Sequence, residues 1–187
     1  YITINISSPN TPGLRNLQNR GQIENLVKSL YKLKDKHDNL GTKAILFKIS
    51  PDIDDKQIRD IALMSLAFDI DGLIISNSTI ERPSTLVSQY RNEIGGLSGK
   101  PLFLNSTLLL KKMYNFTNGR IPLIGVGGIS NGIECYEKIK SGASLVQLYT
   151  ALVYQGPSII DKIKNEILSC LKIDGFQNIK EVIGIDV

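Results

Sequence analysis

Five times along the chain a short apolar stretch is followed by a longer stretch with helical spacing. No other feature limits the possible folds as much. Ile2, Ile4 and Ile6 alternate with Thr3, Asn5 and Ser7, the period of a strand. That strand breaks at Ser8-Pro9-Asn10-Thr11-Pro12-Gly13, a run fit for neither strand nor helix. Further strands are predicted over 44–49, 72–75, 122–126 and 144–148. Between them, Ile23, Leu26, Val27, Leu30 and Leu33 predict a helix over 22–39, ended by Gly41. Asp54 and Gln57 form a capping-box pattern ahead of a helix carrying Ile58, Ile61, Ala62 and Leu66. Helices are expected over 106–116 and 132–140 and, after Gly156-Pro157, along the stripe Ile159, Ile163, Ile167 and Leu171. A short terminal helix is expected over 179–183.

Strands this apolar, separated by helices, imply an α/β fold with a parallel sheet whose faces are covered. An open doubly wound sheet and a βα barrel both satisfy that pattern. Five units fall short of the roughly 250 residues and eight strands of a complete TIM (β/α)8 barrel. The expectation is a barrel represented by its last five or so βα units, with residues 1–187 forming the C-terminal portion of one domain. The chain opens directly in a strand, without Met, as expected of a piece of a larger protein.

The polar residues favour the barrel. The C-terminal strand ends carry Asn5 with Ser8 and Asn10, then Lys48, then Ser76, Asn77 and Ser78, then Gly127-Gly128, then Tyr149-Thr150. Barrels build their sites at that face. The last two units, a Gly-Gly pair shortly before a helix and then Tyr149-Thr150, occupy the usual phosphate position of such a fold. Gly95-Gly96 and Gly99 form a second glycine loop able to lie over a ligand. Lys48 ends a buried strand, where a lysine either reaches solvent or meets an anion. Beside a phosphate-bearing cofactor it would be a fixed positive charge.

Charge and cysteine content exclude other classes. The net charge of +4 comes from lysines on helical stretches (Lys28, Lys32, Lys34, Lys36, Lys111, Lys112, Lys138, Lys140, Lys162, Lys164). These read as solvated helix surfaces rather than a nucleic-acid stripe. Cys135 and Cys170 fall in separate amphipathic helices, with no spacing that suggests zinc or a disulfide framework. His37, between Lys36 and Asp38, reads as a surface residue. No apolar run approaches the ~20 residues of a membrane span.

The motifs Asn5-Ile6-Ser7-Ser8-Pro9-Asn10-Thr11, Lys48-Ile49-Ser50-Pro51-Asp52, Ile75-Ser76-Asn77-Ser78-Thr79, Gly95-Gly96-Leu97-Ser98-Gly99-Lys100-Pro101-Leu102 and Gly125-Val126-Gly127-Gly128-Ile129, with the run 142–150, resemble the class 2, quinone-dependent dihydroorotate dehydrogenases. The likeness covers essentially the whole chain, in order. It implies an FMN enzyme of pyrimidine biosynthesis that oxidises dihydroorotate to orotate. By that resemblance Ser8 is the catalytic base, taking a proton from C5 while hydride leaves C6 for the flavin. Serine stands where class 1 enzymes carry cysteine. Being a weak base, it needs a water or proton relay. Asn5, Asn10, Asn77 and Ser78 match positions that bind the pyrimidine. Asn5, Lys48, Ser76, Gly99, Gly127, Gly128, Tyr149 and Thr150 match flavin positions, with Lys48 stabilising a flavin that becomes anionic on reduction.

Ser76 and Ser78 replace threonines common in the family, and Phe103-Leu104-Asn105 replaces a usually charged stretch. The resemblance also implies that the first barrel units, and an N-terminal helical pair forming the quinone tunnel and membrane contact, lie outside these residues. It implies a monomer at the mitochondrial inner membrane in a eukaryote, or at the cytoplasmic membrane in a bacterium. Two alternatives stay open: another flavin barrel, such as a tRNA-reducing enzyme with a catalytic cysteine, or a barrel module without chemistry.

Overall fold

A computed structural model describes residues 1–37 and 42–187. Five parallel strands form one sheet: β1 (Ile2–Asn5), β2 (Ile45–Ile49), β3 (Gly72–Ile75), β4 (Leu123–Val126) and β5 (Leu145–Gln147). Their spatial order is their chain order, with every neighbouring pair parallel. That order decides between the two candidate architectures. A doubly wound sheet reverses its order at a switch point, whereas a barrel proceeds strand by strand in one direction.

Alternation within the strands sorts the side chains. Ile45, Phe47 and Ile49 of β2, Leu73 and Ile75 of β3 and Leu123 of β4 point outward into the main core. They meet helices α1 (Arg20–Lys36), α2 (Asp55–Ala67) and α3 (Phe103–Thr117) there. Phe47 is fully buried, a burial that contributes roughly 2–3 kcal/mol. The inward residues Leu46, Ile74 and Ile124 form a smaller cluster with Ala44 and Val126. This is the layered interior of a barrel wall. Across the concave face, Gln147 Nε2 donates to the Tyr1 hydroxyl at 2.9 Å, so the sheet curls enough to bring its two edges together.

A second core joins α4 (Gly132–Lys140), α5 (Thr150–Gln155) and α6 (Ile159–Asp174) to the C-terminal segment. There Cys135, Ile139, Ile159, Ile163, Leu171 and Val182 are buried.

The capping box forms as expected: Gln57 N donates to Asp54 Oδ1 at 2.7 Å and Asp54 N to Gln57 Oε1 at 3.1 Å. Several boundaries differ from expectation. Helix α1 starts at Arg20, after a 3-10 turn over Leu14–Gln18 that periodicity does not register. The expected end of that helix, with Asn39 and Gly41, lies outside the described residues. Helix α3 starts at Phe103, because Lys100–Leu102 wind a 3-10 turn that feeds straight into it. Helix α5 is too short to show a period, and the expected terminal helix is a 3-10 turn over Ile179–Val182.

Two expectations are corrected. The sheet is not covered throughout: Ile2, Thr3 and Asn5 of β1 are exposed, and Leu145 of β5 is 61% exposed. These are the edge strands. Thr3, Asn5 and Leu145 lie in the inward rows and face a concave space with no opposite wall among the described residues, while Ile2, in register with outward Ile45, lies at the open edge. The lysines are not all solvated either. Lys28, Lys32, Lys36, Lys112, Lys162 and Lys164 are exposed, but Lys138 is completely buried.

Candidate active site

The parallel register aligns the strand ends, and with them the polar residues. Asn5 pairs with Lys48, and Lys48 with Ile74, so the first two sit side by side in the inward row. Beyond β1 the chain turns Ser7 into the protein. Its buried hydroxyl donates to the Lys48 carbonyl at 2.7 Å and accepts from Asn77 Nδ2 at 3.1 Å. Asn77 Nδ2 also reaches Asn5 Oδ1 at 3.2 Å, and Asn77 Oδ1 accepts from Ser78 N at 2.8 Å. The ends of β1, β2 and β3 are thereby fastened into one polar cluster. Ser7, the last polar residue of the alternating run, serves there as a buried fastener.

Ser8 is partly buried, with its hydroxyl accepting from Asn10 N at 3.3 Å. Asn10 is exposed. The glycine loop closes on this turn. It is anchored by an antiparallel bridge between Thr79 and Leu97. A Cβ on Gly96 would fall 1.9 Å from Ser78 Oγ and 2.9 Å from Pro9 Cγ, so only glycine lets the loop approach both.

Beside this cluster lies a cavity of about 480 Å³. Lys48, Ser76, Asn77, Ser78, Gly99, Gly127, Gly128, Tyr149 and Thr150 all line it. Every strand-end residue singled out in the sequence is therefore in this lining except Asn5, Ser8 and Asn10. Those three sit on the β1 side, joined to it by Asn77 and by the Gly95-Gly96 loop. Ser98 and Thr150 hydroxyls are 3.1 Å apart, drawing the loop to the start of α5. Lys48 is half-buried in the lining, and burial pulls its ammonium below the ordinary lysine value. It has no carboxylate partner among the described residues. An anionic group in the cavity would supply the missing counter-charge. Size, amide-rich glycine turns and an unpaired cation together fit a phosphate-bearing planar cofactor.

Two supports escape a reading of motifs. Arg15 pairs with Asp52 at 2.9 Å, while Asp52 binds the Thr79 hydroxyl and accepts from Ile80 N at 2.9 Å, steadying the segment after β3. Asp52 lies within a quoted motif, but nothing in sequence joins it to Arg15. The other support is Lys138, which donates to Ser106 Oγ at 2.6 Å behind Gly127. Its place three residues after buried Cys135 and next to Ile139 was the available signal.

A sequentially ordered, inward-curling parallel sheet with its polar cavity at the C-terminal strand ends defines a partial βα barrel of the ligand-binding kind. The chain belongs to the dihydroorotate dehydrogenase family, whose sequence model matches residues 1–171. It is 51% identical to the mitochondrial quinone-dependent dihydroorotate dehydrogenase of Oryza sativa subsp. japonica, over all of this chain and 40% of that protein. Identity to the Mus musculus enzyme of the same name is 45%, over all of this chain and 47% of that protein. The crystal structure of ligand-free DHODH from Eimeria tenella superimposes with a TM-score of 0.94 at 38% identity, covering all of this chain and 55% of that one. The chain thus spans about half the length of the relatives it matches.

Proposed function

We propose that the whole protein containing this chain oxidises (S)-dihydroorotate to orotate, with FMN as cofactor and a quinone as final electron acceptor, in pyrimidine biosynthesis. The observation that carries this reading is the cavity at the strand ends, whose lining joins an unpaired, half-buried Lys48 to the Gly99, Gly127 and Gly128 turns. FMN, when bound, would supply the acceptor for the hydride that leaves C6 of the substrate.

The remaining work falls to the chain. Ser8 Oγ takes the proton from C5 as the C5–C6 double bond forms. Its weak basicity calls for a water that carries the proton onward. Asn5, Asn10, Asn77 and Ser78 hold the pyrimidine ring, since amides and hydroxyls match its alternating carbonyls and N–H groups. The hydrogen bonds of Asn77 to Asn5 and Ser78 pre-set those three side chains, so little order has to be imposed on them on binding. Lys48 places positive charge where the cofactor ring gains negative charge, in a partly dry site where that charge counts most. Ser76, Gly99, Gly127, Gly128, Tyr149 and Thr150 hold the cofactor, the last four around its phosphate.

The quinone is reached through a part of the protein beyond these residues, as is the membrane. The proposed location is the mitochondrial inner membrane, in line with the Oryza sativa and Mus musculus relatives, which are named mitochondrial. A bacterial host would place it at the cytoplasmic membrane. The proposed state is a monomer, without a nucleic-acid partner.

An anaerobic visible spectrum of the whole protein tests the reading. A yellow protein that bleaches on adding dihydroorotate is expected. One that is yellow but unchanged by dihydroorotate would point to another flavin barrel. A colourless one that FMN cannot colour would point to a module without chemistry. Lys48→Ala is expected to weaken FMN retention or slow its reduction by at least tenfold, a loss of about 1.4 kcal/mol of charge stabilisation. Normal values for both would remove the charge role.

A further inference from the structure

Lys138 has no part in the function proposed above, yet its position is costly. It is fully buried, and no carboxylate bonds to it among the described residues. Its partners are neutral: Ser106 Oγ at 2.6 Å, the Phe103 carbonyl at 3.4 Å and the Phe103 ring, whose centroid is 5.0 Å away. Glu134 and Glu137 act on it only at longer range, from its own helix. The last turn of α4 favours a cation, but the first turn of α3 does not. Helix α3 has no acidic residue in that turn and no side-chain cap. A buried ammonium and the positive end of a helix therefore meet with little negative charge between them. Burial pulls Lys138 down to about 7.

What lies on the other side is the Gly127-Gly128 turn. Ser106 Oγ is 3.2 Å from the Gly127 carbonyl and 2.8 Å from that of Leu102. A Cβ on Gly128 would fall 2.4 Å from Phe103 Cβ, so this turn rests directly on the first residue of α3. In its protonated form Lys138 only donates hydrogen bonds, and a phosphate bound beyond the turn would favour that form. The Ser106 hydroxyl has one proton to share among the carbonyls of Leu102, Phe103 and Gly127, at 2.8, 3.1 and 3.2 Å, and Lys138, held on a lone pair of the same oxygen, fixes that oxygen beside them.

We propose that Lys138 is a positioning residue for the phosphate subsite: from behind the Gly127-Gly128 turn it sets Ser106, and through Ser106 the Gly127 carbonyl, and it adds a buried positive charge toward the phosphate. The inference rests on the flavin reading and deepens it. A bound phosphate is the anion that the buried charge lacks. Lys138 acts through the turn, and touches neither substrate nor flavin ring.

The test compares FMN with riboflavin, which has the same ring and no phosphate. Dissociation constants for both are measured by flavin fluorescence on the whole protein stripped of cofactor, together with its thermal midpoint. Lys138→Met keeps the length of the stem and its packing. It is expected to weaken FMN about 10- to 100-fold, the scale of a lost charge-assisted contact, and riboflavin less than about twofold. Equal losses for the two flavins, or no loss of FMN, would overturn the proposal. Should that variant fail to fold, Ser106→Ala decides. A loss of FMN preference over riboflavin of about three- to tenfold supports the relay, and an unchanged preference overturns it. If the unsubstituted protein binds neither flavin, the flavin reading itself fails and the inference falls with it.

Discussion

In the whole protein, Ser8→Ala is expected to lower kcat for dihydroorotate oxidation by about 10²- to 10⁴-fold, the range general-base catalysis contributes. FMN content should stay normal, because Ser8 lies outside the lining of the cofactor cavity. The side chain is small and partly buried, and its bond from Asn10 N at 3.3 Å fixes a short turn rather than a core. Truncation should therefore cost little stability, about 0.5–1 kcal/mol. Stopped-flow reduction of bound FMN separates the steps. A slowed reduction with unchanged flavin binding assigns the defect to proton removal. Unaffected turnover would refute Ser8 as the base. Neither a histidine nor a carboxylate bonds to Ser8 among the described residues, in keeping with the water relay proposed above.

Gly128→Ala should have the largest effect of any single methyl addition in the site. Gly128 has φ +78°, a conformation that costs an L-residue about 1–2 kcal/mol. Its new Cβ would lie 2.4 Å from Phe103 Cβ, 2.6 Å from Phe103 Cα and 2.7 Å from Phe103 N. Backbone cannot swing aside as a side chain does, so either the turn or the start of α3 must shift, at about 1–3 kcal/mol more. The expected outcome is a loss of about 2–5 kcal/mol in denaturant unfolding and FMN binding at least tenfold weaker. Gly13→Ala is the control. Gly13 has φ +77° but nothing within 4 Å of its Cβ position, so only the conformational cost of about 1–2 kcal/mol applies. Equal effects at the two positions would mean that the packing of Gly128 on Phe103 contributes nothing.

Much of the site is legible because barrel chemistry is concentrated at strand ends, which apolar runs and punctuation mark clearly. Lys48, Asn77, Gly128 and Tyr149 each stand at or just past the end of an apolar run that reads as a strand. What escapes is whatever depends on chain segments meeting at a distance. Arg15, in the 3-10 turn before α1, and Asp52, in the loop after β2, are far apart in sequence, and only the folded sheet brings them to 2.9 Å. Lys138 reads as one more surface lysine because a short helix with mixed composition leaves its buried stripe ambiguous.

By itself the sequence determined the alternating βα order, the strand ends and the family, since each rests on local patterning or on ordered motifs. Only the tertiary structure decided that the strands follow one another in sequential order, that the edge strands expose their inward faces, and that Asn77 ties Asn5 to the cavity. It alone showed that Lys138 is enclosed behind Gly127. Strand order, side-chain burial and long-range hydrogen bonds depend on where distant segments pack, and no periodicity within one segment encodes that.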